Sequence, residues 1–186
     1  MKTLLLCAAA CATLTIAACA SAPTGEAAPI AQAAMSQPAP PAPEFVRMAG
    51  ASDLYEIQSS QLVLQSTQNP DLQRFARMMV EHHTMTTAAV TRAAATDRVP
   101  APPPSLDARK AEMLRQLQAA DGEARDALYQ QQQVMAHREA LALHTSFAEN
   151  GEATALKAAA ATAVPIVARH YNMIVEMARA AGVSES

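Results

Sequence analysis

The sequence predicts an all-α domain, built as an antiparallel four-helix bundle with an extra short helix between its second and third long helices. Three observations carry this. The 186 residues are 51% hydrophobic yet only 3% aromatic, with no Trp, so the core must be aliphatic and the abundance of Ala, Leu, Met and Gln favours helix. No stretch alternates apolar and polar residues as strands do. Long segments instead repeat apolar residues every three or four positions, between Pro, Gly and Asn breakers.

The first of those segments runs from about Glu44 to Ser66. It offers two faces: bulky Phe45, Met48, Leu54, Ile57 and Leu62, or the small residues Ala49, Ser52, Ser59 and Val63 that surround Glu56. Gly50 weakens it by up to about 1 kcal/mol relative to Ala. Asn69-Pro70 supplies an N-cap and a first-turn proline, so a second helix should run to about Thr96. VPAPPPS, residues 99–105, has four prolines in five positions and cannot be helical. A short helix over Asp107 to Ala120 precedes a pause at Asp121-Gly122. A third long helix then covers Glu123 to Glu149, closed by Asn150-Gly151 as residues tolerant of a left-handed backbone commonly do. The fourth, Ala153 to Ala181, contains Pro165 as a kink.

The N-terminus reads as an address. Lys2 precedes an apolar stretch, Leu4 to Ile16, too short to span a bilayer. The following Ile16-Ala17-Ala18-Cys19 resembles a bacterial lipobox, which implies that 1–18 is a lipoprotein signal peptide and that Cys19 is acylated. Cys7 and Cys11 would leave with the signal, so no internal disulfide is expected. Two or more acyl chains would hold the protein stably on a membrane. Ala20 follows the cysteine where an aspartate would resemble an inner-membrane retention signal. The expected location is therefore the outer membrane, with the domain facing the periplasm. Residues 19–43 contain six prolines and no apolar face, so a disordered tether is expected there, its ends roughly 28 Å apart. The bundle domain is expected over 44–183.

Histidines interrupt the apolar stripes. On the second helix His83 shares a stripe with Leu72, Ala76 and Met79, while His82 points about 100° away. On the third, Val134, His137, Leu141, His144 and Ala148 keep a 3-4-3-4 spacing, and on the fourth His170 sits among Leu156, Ala163, Val167 and Ile174. Counted from the turn between their helices, Glu56 and His83 are level to within about 3 Å, whereas His170 lies about 7 Å deeper than His137.

From Phe45 to Ala181 the chain resembles the bacterial envelope family called domain of unknown function 4142, placed among ferritin-like four-helix bundles. The residues that carry the likeness are Glu56 with Leu62-Val63, Phe75 with Met79-Val80 and His83, then Asp126, Tyr129, His137, Pro165 and His170. The resemblance implies the fold but no settled activity. His82 stands where the family usually has an acidic residue, and His144 where it usually has an aromatic or apolar one.

These residues point to one transition metal ion (Cu, Zn or Fe) held in the core by Glu56, His83, His137 and His170, because a carboxylate and three imidazoles complete a four-coordinate shell. Met79, His82, Tyr129 and His144 are accessory candidates: Met79 a soft donor or simple filler, Tyr129 a hydrogen-bond donor behind His137 or a residue that closes the core. The alternative is a metal-free polar core in a structural or interaction module, presenting a bundle face or the Arg109 to Gln118 helix to a periplasmic protein. A di-iron oxidase is disfavoured because no Glu-x-x-His occurs. Phosphate loops, a Gly-x-Ser-x-Gly elbow and an unlipidated cysteine nucleophile are also missing. Without Lys2, 13 basic residues face 17 acidic ones, a net of about −4, scattered over the helices. Nucleic acid has no electrostatic footprint here.

Overall fold

A computed structural model describes residues 22–183, all-helical with no strand among them. Six helices follow in order: α1 Ala27–Met35, α2 Ala42–Val63, α3 Pro70–Asp97, α4 Ala108–Ala119, α5 Gly122–Asn150 and α6 Thr154–Ala180. The four long ones close a ring of contacts, α2 on α3, α3 on α6, α6 on α5 and α5 on α2, around a shared interior. Cys19 and the expected signal segment lie outside the described residues.

The long helices begin and end where the breakers stand. The Asn69 side chain accepts hydrogen bonds from the N–H groups of Asp71 (2.9 Å) and Leu72 (3.3 Å), and Pro70 opens α3. Asp107 caps α4 through the Lys110 N–H (2.8 Å). Gly151 differs from its expected role. Its backbone is extended (φ −68°), and what it supplies is room: a Cβ there would lie 2.6 Å from the Phe147 carbonyl oxygen. Residues that do turn left-handed after a helix are Arg98, φ 57°, after α3, and Gly182, φ 69°, after α6.

Residues 27–35 overturn part of the expected tether. They form α1, which packs on α5 and α6 and buries Ala27, Ala31 and Ala34. Side chains of the main body satisfy both of its ends. Asn172 Oδ1 accepts from the Ala27 N–H (2.9 Å), and Asn150 Nδ2 donates to the carbonyls of Met35 (2.9 Å) and Gln37 (2.7 Å). The proline count was a poor guide because methyl groups of alanine suffice to seat one short helix when a neighbour caps it.

α2 presents its small, polar face inward. Ala49, Ser52, Asp53, Glu56, Ser59, Ser60 and Val63 are buried, whereas Met48 is 38% exposed. Small side chains bring the helix close, and the polar groups among them face the interior of the ring. α4 buries Met113 and Leu117, packing with Leu106 against Tyr55 and Ala136, so its apolar side is used within the molecule.

Candidate metal centre

His83 on α3, His137 on α5 and His170 on α6 are at most 2% exposed and each offers one ligand atom within 4.8 Å of the others. Their ring centroids form a nearly equilateral triangle with sides of 5.6, 5.5 and 5.5 Å. The depth difference counted along straight helices does not keep His137 and His170 apart.

Each ring is held by one nitrogen. His83 Nδ1 lies 2.8 Å from Asp53 Oδ1, His137 Nδ1 lies 3.0 Å from the Gln133 carbonyl oxygen, and His170 Nε2 lies 2.8 Å from His82 Nδ1. The other nitrogens, His83 Nε2, His137 Nε2 and His170 Nδ1, are buried with no hydrogen-bond partner. For His83 and His137 the partner is a carboxylate or carbonyl oxygen, which fixes Nδ1 as the protonated nitrogen and leaves the opposite lone pair free, the arrangement that orients metal-binding imidazoles; for His170 the same holds in the tautomer that donates from Nε2 to His82. For a buried polar atom the lost hydrogen bond costs about 1–3 kcal/mol, so three unpartnered ring nitrogens in one place point to a ligand.

Asp53 is the residue the sequence reading missed. It is 2% exposed, and its other oxygen accepts from Thr87 Oγ1 at 2.9 Å. Its signal was its position three residues before Glu56, which places it on the same side of α2.

Glu56 is fully buried next to the triangle: Oε1 is 3.7 Å from His137 Nδ1, and neither carboxylate oxygen has a hydrogen-bond partner. Burial raises its pKa to about 7, against the lowering influence of His83 and the Gln133 amide. It is not one of the three residues whose ligand atoms are mutually within 4.8 Å. Burial drives His83 toward the neutral form, but the hydrogen bond and charge of Asp53, helped by Glu56, win and raise its pKa. His137 is lowered to about 3 by burial and then by the charge on His83, and His170 is lowered by burial and by the histidines around it. The two are neutral imidazoles at ordinary pH, the form that binds metal.

The accessory candidates separate. His82 is half-buried and braces His170, the rings inclined by only 15°. His144 is buried edge-on to Phe45, centroids 5.5 Å apart, with its pKa lowered to about 4 by burial. Tyr129 Oη shares a 2.7 Å hydrogen bond with Ser60 Oγ and packs near Phe75, so it closes the core at this end. Met79 is fully buried in the apolar cluster with Leu72 and Phe75.

A family model described as "Domain of unknown function (DUF4142)" matches residues 27–177. The chain belongs to this family. The matched region starts at the first residue of α1, so that short helix falls inside the family's domain. No curated protein and no solved structure gives a significant match.

Proposed function

We propose that this DUF4142 domain binds one transition metal ion through His83, His137 and His170, with Glu56 as the fourth ligand or as the neighbouring charge that balances the ion. The observation that carries the reading is the convergence of three buried, unpartnered ring nitrogens whose opposite nitrogens are each held by Asp53, Gln133 or His82. Imidazole suits Cu, Zn, Fe and Ni alike. A purely structural polar core accounts less well for these residues, because such a core satisfies its own donors and acceptors.

The four long helices read as an antiparallel, ferritin-like bundle, a scaffold that builds metal sites from inward-facing side chains of several helices. For cellular placement the support is the sequence alone: a signal-like 1–18 ending in the lipobox-like Ile16-Ala17-Ala18-Cys19. On that basis the domain is an outer-membrane lipoprotein facing the periplasm, anchored through Cys19. No helix among the described residues is long and apolar enough to cross a membrane.

Elemental analysis of protein purified without chelator tests the metal reading. About one ion per chain is expected, and His137→Ala and His170→Ala should each remove it while the helical circular-dichroism signal persists. Protein that takes up no ion, with a melting temperature indifferent to added Cu, Zn, Fe and Ni, would refute it.

A further inference from the structure

The seam between α3 and α6 carries thioethers that the histidine centre does not use. Met78 on α3 and Met173 and Met177 on α6 line one surface groove together with Phe75. All three are only partly buried, resting on the main apolar cluster. Met78 precedes His82 by one helical turn, and Met173 follows His170 by one turn, so two of the groove's thioethers stand one turn from the hydrogen-bonded pair of imidazoles, which do not themselves line the groove. The charged groups at its rim are Asp71, Arg74 and Glu176, and Asp71 is already paired with Arg74.

We propose that Met78, Met173 and Met177 form an outer site for a soft monovalent metal ion of the Cu(I) class, and that His82 hands the ion from this groove to the buried histidines. The inference rests on the metal-centre reading above and adds to it the class of ion and its route. Thioethers are neutral, polarisable donors that select Cu(I) and its stand-in Ag(I) over hard divalent cations. Filling a core gap is the usual work of methionine. Three lining one groove, two of them one turn from a pair of hydrogen-bonded imidazoles, go beyond it.

The test uses the full chain under anaerobic conditions and compares wild type with the triple variant Met78→Leu/Met173→Leu/Met177→Leu, in which side-chain volume is nearly kept. Ag(I) in chloride-free buffer should shift the three methionine methyl NMR signals, and the stoichiometry should fall from about two ions per chain to about one in the variant. Cu(I) supplied as its bicinchoninate complex should reach the histidine centre at least tenfold more slowly in the variant, with the same end point. Unshifted methyl signals, or equal stoichiometry and equal rates, would overturn the outer site while leaving the metal centre standing. Methyl shifts in a protein whose uptake is unchanged by His137→Ala would overturn the centre and the route, and keep only the thioether site.

Discussion

Asp53 and Glu56 sit three residues apart on one helix and do opposite work. Asp53 is hydrogen-bonded on both oxygens and lends its charge to His83, whereas Glu56 is buried with both oxygens unpartnered. Asp53→Asn should therefore leave the fold intact and weaken metal affinity about 10- to 100-fold, as loss of a carboxylate behind a ligating imidazole does, measured by competition with a chelator of known affinity. For Glu56 the sign follows from its raised pKa, about 7 in the folded chain against an ordinary 4.5. Its protonated form is the one the fold favours, so that contribution to stability is present below about 4.5 and is lost as pH rises through about 7. Metal-free Glu56→Gln should melt above wild type at pH 8 and alongside it at pH 5. Equal melting at both pH values would show that the carboxyl is not titrating in the core.

Much of the site was legible at this scale, and the misses have reasons. His83, His137 and His170 stood out because a polar residue on an apolar stripe is costly unless it has a partner. Asp53 did not, because on α2 the inward face is made of small and polar residues and offers no apolar stripe to interrupt. His82, an accessory candidate in the sequence, stands off the buried stripe. A side chain 100° off the buried stripe still reaches the neighbouring helix at the seam, where it meets His170.

Among the elements, the long helices were legible because their breakers are explicit, and each observed boundary lies within about three residues of the expected one. α1 was not legible, since its stability comes from caps supplied by Asn150 and Asn172, more than a hundred residues away. Two glycines test how elements are joined. An added Cβ at Gly50 would make only ordinary contact with Pro104, nearest atom 3.5 Å, so Gly50→Ala should stabilise α2 by about 0.5–1 kcal/mol. At Gly151 the Cβ would strike the Phe147 carbonyl oxygen at 2.6 Å, so Gly151→Ala should destabilise by about 1–3 kcal/mol. Thermal melts read both, at roughly 2–4 °C per kcal/mol for a chain of this size.

For the whole molecule, the buried imidazoles set the response to acid. His137 and His144 have pKa values lowered to about 3 and about 4, and His170 is lowered too, so below an ordinary 6.5 the unfolded chain takes up protons that the folded chain refuses. Stability should fall as pH drops from about 6.5 toward 4. Glu56 and His83, both raised, oppose this over the upper part of the range, whereas the three lowered histidines act down to about 4. His144→Phe, which keeps a ring against Phe45, should shallow the fall in melting temperature between pH 6.5 and 4. An unchanged slope would place the acid sensitivity elsewhere. Bound metal should steepen the same limb, because protons and the ion compete for the same lone pairs.

A metal centre of this kind requires three imidazoles from α3, α5 and α6 to meet at one ion. X-ray absorption at the edge of the bound metal reads this most directly. The expected spectrum of the loaded protein shows three imidazole nitrogens at about 2.0–2.1 Å, reduced in both His137→Ala and His170→Ala. A first coordination sphere without imidazole, or one unchanged by those substitutions, would contradict it.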